Sequence, residues 1–485
     1  MGRCGAVACS RPSDLRAITG ESHRTEGAQG MSHSMGTSAS GVPEARQGAG
    51  GRADLGAIVL LLMVTLLVRG SVVFWAARSL DADPDGYRRL AQNLLAHGTF
   101  GSGAVPTAYR PPLYPLMLVP CVALGRSGSM AIAVLHLMLA AGTVLITYGL
   151  GRRWGLGRFG LLAGVLVVCD PILLNQSTQV MTETPAALLA VACLWALVAA
   201  GRQGSASRWA LAGALMGLAA LCRSTFLVWM ALVGVAVAWS GLRGRGGWRP
   251  LAAFATAGVL VLLPWVVRNQ WHFGRPIVGT THGGYTLLLA NNPSFYAYLR
   301  RSSFGEVWDA AAFHADWGRR VAIGSPRAEL ANDRLAYAEA WRAIRAEPAT
   351  FAWASLVRVG RLWQLVPHRT AAGESPHRRL ARYAVGLWYL AQFALAAAGA
   401  VGLAMGGSPD RRLGDRCAEH DQRGWMWGLL LAAALTGVHA VYWSNMRMRA
   451  PLVPLLALLA ARGVAQMTAP RKRRPAGGEG GRGTA

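Results

Sequence analysis

Apolar residues dominate long stretches of this chain, and short breaks rich in arginine or glycine separate the stretches. Each stretch holds about 15 to 25 residues, close to the roughly 20 that a helix needs to cross a bilayer. The pattern therefore predicts an all-α protein, a polytopic membrane helical bundle of about ten transmembrane helices with amphipathic helices and loops on its outer face. The expected spans are 55–77, 129–150, 158–173, 183–200, 208–222, 225–241, 251–267, 381–404, 425–443 and 451–466.

Basic residues decide the expected orientation of this bundle. An even number of spans places both tails on one side of the membrane, and the alternate connections on that side are rich in arginine. The residues concerned are Arg152, Arg153, Arg158, Arg202, Arg208, Arg243, Arg245, Arg249, Arg411, Arg412, Arg416, Arg423, Arg471, Lys472, Arg473 and Arg474. We therefore expect a bacterial inner-membrane protein with a disordered tail over 1–50, a membrane domain over 51–467 and a basic tail over 468–485, both tails being cytoplasmic.

The composition, net charge and cysteine spacing indicate which partners and cofactors to expect. Hydrophobic residues make up 53% of the chain and charged residues only 15%, which is far from the average of soluble domains. The net charge of +26 comes from tails and short loops, so membrane lipids are expected as partners and nucleic acid is not. The seven cysteines form no CxxC pair and no Cys/His cluster at zinc spacing. The spacing of ligands thus indicates no metal or other cofactor, although it does not exclude a divalent ion.

The polar chemistry lies in two long outer segments, 78–128 and 268–380. In the first, Tyr109–Pro115 is too rich in proline for a regular helix and is expected to be a bent segment. In the second we expect a helix over 326–347, packing through Leu330, Tyr337, Trp341 and Ile344. An interfacial helix is expected over 351–366, with a polar stripe formed by Ser355, Arg358, Arg361 and Gln364.

Three alternating aspartates, Asp81, Asp83 and Asp85, open the first outer segment. Apolar residues at helical spacing follow them, which predicts a surface helix with Asp83 as N-cap, Pro84 as first residue and Gly98 at its end. Asp85 is then available as a general base, because desolvation and neighbouring acids raise the pKa of a carboxylate. The alternative is that all three aspartates only cap and solubilise the start of the helix.

Arginines at the outer ends of spans are the second candidate group, because such a residue can hold a phosphate while its stem stays in apolar surroundings. The residues are Arg110, Arg223, Arg268, Arg447 and Arg449. Anchoring of a helix by snorkelling is the alternative for each of them.

Glu183 begins the fourth span, where it either caps the helix or belongs to the site. His136 and His439 lie inside spans without a second ligand at helical spacing, so they are expected to be packed histidines.

Several stretches together resemble a known family. They are DADPDGY (81–87), YRPPLYP (109–115), MTETPA (181–186), PWVVRN (264–269), the GG and NNP pairings (283–284 and 291–293) and RMRAP (447–451). Their order and expected outer placement are similar to the polyprenyl-phosphate-sugar-dependent membrane glycosyltransferases of the C-type fold. That group holds the protein mannosyltransferases and the aminoarabinose transferase of lipid A, of the glycosyltransferase family 39 type.

The resemblance implies an inverting transfer of a sugar from a polyprenyl-phosphate-linked donor to an unidentified lipid, glycan or protein acceptor on the outer face. It implies Asp85 as the catalytic base, with Asp83 as the alternative, since this chain alternates its acids where many members have two adjacent ones. Glu183 would line the sugar pocket, and Arg268 or Arg447 would hold the leaving phosphate. The full set expected to bind substrate is Asp81, Tyr87, Arg110, Glu183, Arg268, Asn269, His282, Arg447 and Arg449.

A polytopic transporter or lipid flippase is the main alternative, because such a protein would also be apolar and basic. Transporters place ionisable or broken-helix sites near the middle of the membrane. Here no acid is expected at that depth, and Arg69 is the one clear charge within a span. The sequence therefore favours the transferase.

Overall fold

The computed structural model of the chain describes residues 44–468, apart from 245–246, 303–305, 307, 370–372 and 406–414. The two predicted tails, except for 44–50 and 468, lie outside the described residues, as do Arg245, Arg411 and Arg412. In the described part the helices are α1 (Glu44–Thr65), α2 (Ser71–Trp75), α3 (Tyr87–His97), α4 (Leu113–Val122), α5 (Gly128–Arg153), α6 (Phe159–Val168), α7 (Pro171–Gln176), α8 (Glu183–Gln203), α9 (Ala206–Cys222), α10 (Phe226–Leu242), α11 (Arg249–Phe273), α12 (Gly283–Ala290), α13 (Pro293–Arg301), α14 (Ala311–Arg320), α15 (Pro326–Ala346), α16 (Pro348–Trp363), α17 (Pro376–Ala404), α18 (Asp415–Val441) and α19 (Val453–Met467).

The predicted fold class is confirmed, since helices form the whole architecture except one small hairpin of β1 (Gly101–Ser102) and β2 (Val105–Pro106). Each expected span except 158–173 coincides with one helical segment. Within the described residues, seven helical segments are long and apolar enough to cross a membrane by length and composition. The other three expected spans correspond to the shorter α6, α9 and α10.

The third expected span, 158–173, is broken rather than continuous. Asp170 stands between α6 and α7 as the N-cap of α7, and its Oδ1 accepts a hydrogen bond from the Leu173 amide at 3.0 Å. This break accounts for the charge of Arg69 inside a span, because its guanidinium donates to the carbonyls of Val167 and Leu173 on either side of the break. A buried arginine thus adds a charged donor to carbonyls on both sides of the interrupted helix.

Small residues allow the helices of the bundle to pack closely. A Cβ on Gly213 of α9 would lie 2.0 Å from the carbonyl oxygen of Phe254 on α11. A Cβ on Gly463 of α19 would lie 2.1 Å from the carbonyl oxygen of Leu395 on α17. Close contact between backbones at small residues is typical of helix pairs in membranes.

The helix predicted after the three aspartates exists as α3, but its start was misplaced by three residues. Gly86 has a left-handed backbone (φ 77°) that interrupts helical geometry, so the helix begins at Tyr87 rather than at Pro84. The predicted N-cap was therefore wrong, since Gly86 occupies that position, although Asp83 Oδ2 still accepts a hydrogen bond from the Arg89 amide in the first turn at 2.8 Å. Gly98 ends the helix as expected.

The remaining outer elements follow the sequence in part. The helix α4 begins at Leu113, within the stretch expected to be irregular, because Pro112 and Pro115 occupy its cap and first turn, where a missing N–H costs little. The expected helix over 326–347 is confirmed as α15, and Leu330, Tyr337 and Ile344 pack as predicted. Trp341 is instead 48% exposed, and Ala336 and Ala340 are the fully buried residues of the helix.

The polar stripe predicted on the interfacial helix points inward on α16. Arg358 is fully buried and donates to the carbonyls of Ala440 and Ala290 and to the Ser355 hydroxyl. The predicted helix is therefore present, but its polar side chains cross-link α16 to α12 and α18 instead of facing water.

Candidate active site

A cavity of about 800 Å³ opens at the end of the bundle where α8 and α10 begin and where α9 and α18 end. Its walls carry an unusual number of charged side chains for a membrane bundle. Those that line it are Asp85, Arg110, Glu183, Arg223 and Arg447. Charges of both signs thus meet in one space that is partly shielded from solvent, which strengthens their action on a bound ligand.

Asp85 lies in the turn before α3 and is held by Arg110, which follows the hairpin. The Arg110 guanidinium donates through Nη2 to Asp85 Oδ1 at 2.9 Å and through Nε to the Asp85 carbonyl at 3.0 Å. The rings of Tyr87 and Tyr109 each lie 5.4 Å from the centre of that guanidinium. Asp85 Oδ2 has no hydrogen-bond partner among the described residues, so one carboxylate oxygen can face the cavity.

Glu183 forms a second charged cluster across the cavity, with two arginines on one carboxylate. Its Oε1 lies 3.3 Å from Arg223 Nη1 and 3.6 Å from Arg447 Nε. Glu183 begins α8 and is buried, whereas the Arg447 side chain is 30% exposed. The cluster carries a net positive charge, because two guanidiniums share a single carboxylate, and it is therefore suited to an anion.

Residues just before α10 extend this positive wall. Ser224 and Thr225 line the cavity next to Arg223, and their hydroxyl oxygens are buried without a hydrogen-bond partner among the described residues. Hydroxyls beside guanidiniums and a helix N-terminus are groups that bind phosphate oxygens.

His282 and its aromatic neighbours form the outer wall. The His282 ring lies 4.3 Å from that of Tyr109 and 5.5 Å from that of Tyr285. Burial, reinforced by the charge of Arg110, lowers the pKa of His282 to about 3, so its imidazole is neutral at physiological pH. A neutral imidazole between two aromatic rings can donate or accept a hydrogen bond but adds no charge to the site.

A second cavity of about 730 Å³ lies on the other side of Asp85. The two cavities share Asp85, Arg110, Tyr109, Tyr285 and Trp317 in their linings. Asp85 therefore stands where two ligands, one in each cavity, could meet.

Comparisons with known proteins bear on this arrangement. Residues 109–269 match the profile of the dolichyl-phosphate-mannose-protein mannosyltransferase family. The archaeal oligosaccharyltransferase AglB from Archaeoglobus fulgidus, solved with an inhibitory peptide and a dolichol-phosphate, is 17% identical, with a TM-score of 0.50 over 85% of this chain and 50% of that one. The chain has the C-type glycosyltransferase fold. The resemblance read from the sequence is thereby confirmed, while the chain spans only half the length of that relative.

Two other solved structures are similar with lower scores. ArnT from Cupriavidus metallidurans bound to undecaprenyl phosphate is 18% identical, with a TM-score of 0.38 over 85% of this chain and 78% of that one. The arabinosyltransferase EmbB from Mycobacterium smegmatis is 16% identical, with a TM-score of 0.32 over 80% of this chain and 42% of that one. No curated protein matches the chain.

Within this C-type glycosyltransferase fold, the cavity brings together six of the residues that the sequence analysis expected to be catalytic or to bind substrate. They are Asp85, Tyr87, Arg110, Glu183, His282 and Arg447. Asp81 and Asp83 lie apart from them, in a shallow depression beside Arg88 and Arg89. Hydrogen bonds from Ser129 and Arg88 lower the pKa of the exposed Asp81, which is therefore tied to the end of α5.

Arg268, Asn269 and Arg449 do not line the cavity and instead hold backbone groups. Arg268 donates to the carbonyls of Thr107 and Phe100, both at 2.8 Å, and Asn269 donates to the Ile277 carbonyl. Arg449 is fully buried, donates to the carbonyls of Leu362 and Gln364, and lies 4.1 Å from the Tyr389 ring centre. These contacts hold Arg268 and Asn269 on backbone groups of the protein, whereas only Nη1 of Arg449 is hydrogen-bonded and its Nε and Nη2 are buried without a hydrogen-bond partner among the described residues.

Arg223 was among the arginines that the sequence analysis named as able to hold a phosphate, although it was not included in the expected substrate-binding set, and it lines the cavity. Other residues of the lining were not selected. His439 was expected to be packed; it is buried and bonded to the Trp443 carbonyl, yet it also lines the cavity. Tyr285 and Trp317 could not be selected from the sequence, because aromatic residues on polar helices are as typical of packing as of a binding site. Among the described residues, no group of three or more His, Cys, Asp or Glu side chains is arranged to hold a metal ion.

Proposed function

We propose that this protein is an inverting membrane glycosyltransferase that moves a sugar from a polyprenyl-phosphate-linked donor to an acceptor hydroxyl at the outer face of the membrane. The acceptor is a lipid, a glycan or a protein. The observation that carries the proposal is the placement of Asp85 opposite the Glu183–Arg223–Arg447 cluster in one cavity. A carboxylate and an anion-binding cluster are the two groups that this transfer requires.

In the proposed step, the acceptor oxygen attacks the anomeric carbon from the face opposite the phosphate. The bond between that carbon and the phosphate oxygen breaks, and its electron pair leaves with the polyprenyl phosphate. The acceptor proton passes to Asp85 Oδ2. One new glycosidic bond replaces the bond that broke, and the anomeric configuration is inverted.

Arg223 and Arg447 would act on the phosphate leaving group. The donor phosphate is a diester with one negative charge, whereas the released polyprenyl phosphate is a monoester that carries up to two. Arg223 and Arg447 face this added charge, so they stabilise the transition state more than the bound donor. Ser224 and Thr225 would add hydrogen bonds to the same phosphate oxygens.

Asp85 is preferred to Asp83 because of position. Asp83 accepts a hydrogen bond from the Arg89 amide in the first turn of α3 and does not line the cavity, whereas Asp85 does. Arg110 fixes Asp85 from one side only, which leaves the other carboxylate oxygen for the acceptor.

The test uses the full chain reconstituted in lipid nanodiscs with a radiolabelled polyprenyl-phosphate sugar and a membrane extract as acceptor. Asp85→Asn is expected to lower transfer by at least about a hundredfold, the effect of removing a positioned general base. Asp83→Asn serves as the matched change, and it is expected to retain most of the activity, since the side-chain amide oxygen can still accept the hydrogen bond from the Arg89 amide. Full activity of Asp85→Asn with loss in Asp83→Asn would move the base to Asp83. Substrate uptake into sealed vesicles without any transfer would favour a transporter instead.

A further inference from the structure

The outer helix α15 reaches the hairpin that precedes Arg110 through a single carboxylate. Glu329 Oε2 accepts a hydrogen bond from the Thr107 hydroxyl at 2.6 Å, and Oε1 accepts one from the Ala108 amide at 2.9 Å. The Thr281 hydroxyl also donates to Oε1. One side chain thus joins three segments that are far apart in the sequence.

The same short segment is bonded from two further directions. The Thr281 amide donates to the Ala108 carbonyl at 3.0 Å. Arg268, at the end of α11, donates to the carbonyls of Thr107 and Phe100, which flank the hairpin. The backbone at Thr107 and Ala108 is therefore held by the bundle on one side and by α15 on the other.

The junction formed by Thr107, Ala108, Thr281 and Glu329 supports one wall of the candidate active site. Tyr109 and Arg110 follow Ala108 directly, and Arg110 makes the ion pair with Asp85. His282 follows Thr281 directly and packs on Tyr109. A shift of the junction by one ångström would be transmitted to both segments, because one to two residues separate it from the groups that face the cavity.

We propose that Glu329 is a positioning residue, which acts through Thr107 and Ala108 to hold Arg110 in the orientation that presents Asp85 to the acceptor. Its carboxylate forms no ion pair among the described residues and is hydrogen-bonded to these three donors. Its charge also acts on the nearby Arg268 and Asp333. Charge-assisted hydrogen bonds of this kind are stronger than neutral ones and fix geometry as well as contributing energy. The inference rests on the proposed function for its catalytic part, and on the hydrogen bonds alone for its structural part.

The structural part is tested by hydrogen exchange of the full chain in nanodiscs. Glu329→Ala is expected to speed exchange in peptides covering 99–110 and 279–285 by about tenfold, the effect of losing a hydrogen bond worth about 1.4 kcal/mol. Glu339→Ala is the matched control, because Glu339 lies on the same helix and pairs with Arg320 away from the hairpin. Equal exchange of these peptides in wild type and Glu329→Ala would overturn the inference.

The catalytic part is tested by steady-state kinetics and a double-mutant cycle. Glu329→Ala is expected to lower kcat about tenfold and to leave the donor KM within about twofold, because Glu329 does not touch the Arg223–Arg447 cluster. Adding Glu329→Ala to Arg110→Gln is expected to cause no further loss, since the first residue acts through the second. Thr107→Val is a second variant that keeps the shape of the side chain and removes its hydrogen bond to Glu329 together with the one that it accepts from the Tyr109 amide. A loss of kcat of the same kind is expected. Fully additive losses would contradict the positioning role.

The two proposals fail in different ways. If wild type transfers no sugar from any donor while the exchange result holds, the proposed function is wrong and the junction stands. If wild type is active and Glu329→Ala matches it in both exchange and kcat, the positioning role is wrong and the proposed function stands.

Discussion

Replacing Glu183 by glutamine tests whether the cavity binds a phosphate through Arg223 and Arg447. A phosphate held by both guanidiniums would lie about 6 Å from the Glu183 carboxylate, and like charges at that distance repel by about 3 kcal/mol at an effective dielectric constant of ~20. Because the Arg447 side chain is 30% exposed, solvent screens part of this repulsion. We therefore expect Glu183→Gln to bind undecaprenyl phosphate about tenfold to a hundredfold more tightly than wild type.

The same change has an opposite effect on the unliganded protein. Two arginines lose their shared counter-charge, which is expected to lower the free energy of unfolding by up to about 3 kcal/mol. The variant should therefore melt earlier than wild type without ligand and show the larger increase in melting temperature when undecaprenyl phosphate is added. In transfer, tighter binding of the charged product is expected to lower kcat and the donor KM together, because product release slows.

The assay is a thermal melt in detergent at a series of undecaprenyl phosphate concentrations, followed by filter binding with labelled lipid. Asp54→Asn is the matched control, since it neutralises an acid that pairs with Arg152 on the far side of the bundle from the cavity. Undecaprenyl phosphate carries no sugar, so a residue that only lines a sugar pocket would leave its affinity unchanged. Unchanged or weaker binding in Glu183→Gln would refute the charge argument and leave Glu183 with a sugar-binding or capping role.

Three further predictions concern stability, pH and orientation. Arg358→Met is expected to lower the free energy of unfolding by about 3 kcal/mol, because the Ala440 and Ala290 carbonyls lose a charged donor; the exposed Arg345→Met is the control, and equal melting temperatures would contradict the prediction. Burial raises the pKa of Asp333 to about 6, so the folded state holds a proton that the unfolded chain releases near pH 4. Its contribution to stability should therefore fall as pH rises from about 4 to about 6, and a melting temperature that changes across this window equally in wild type and Asp333→Asn would exclude it. Ala104→Cys on the hairpin is expected to react with a membrane-impermeant maleimide in intact cells, and reaction only after lysis would place Asp85 in the cytoplasm and remove the catalytic proposal.

Most helices of this fold could be predicted because the sequence carries two strong patterns of apolar residues. Long apolar runs locate the spans, and the apolar stripe after the three aspartates locates α3. Local boundaries were less predictable. Gly86 adopts a left-handed backbone that no propensity separates from an ordinary helical glycine, and α4 begins between two prolines that suit a first turn as well as they suit a loop.

The candidate site was predictable only where a residue was unusual for its place. Asp85 and Glu183 stand out as acids next to apolar runs, and both line the cavity. Arginines do not separate in this way, since an arginine that anchors a helix, one that satisfies buried carbonyls and one that faces a cavity have the same sequence signature. Arg268 follows a predicted span and Arg447 precedes one. Arg268 nevertheless donates to the carbonyls that flank the hairpin, whereas Arg447 pairs with Glu183. Only tertiary contacts distinguish them.

The two charged clusters of the cavity have a common property that bears on mechanism. Asp85 is paired with Arg110, and Arg223 and Arg447 are paired with Glu183. Each group proposed to act on substrate is thus already partly neutralised by the protein, which limits the cost of holding charges in a partly dry cavity. Binding of a phosphate must then compete with Glu183 for the arginines, so the donor is held less tightly than by free arginines, and the doubly charged product can be released. Glu183 would thus weaken binding of the donor and at the same time speed release of the polyprenyl phosphate. We therefore expect Glu183→Gln to bind undecaprenyl phosphate more tightly and to have a lower kcat.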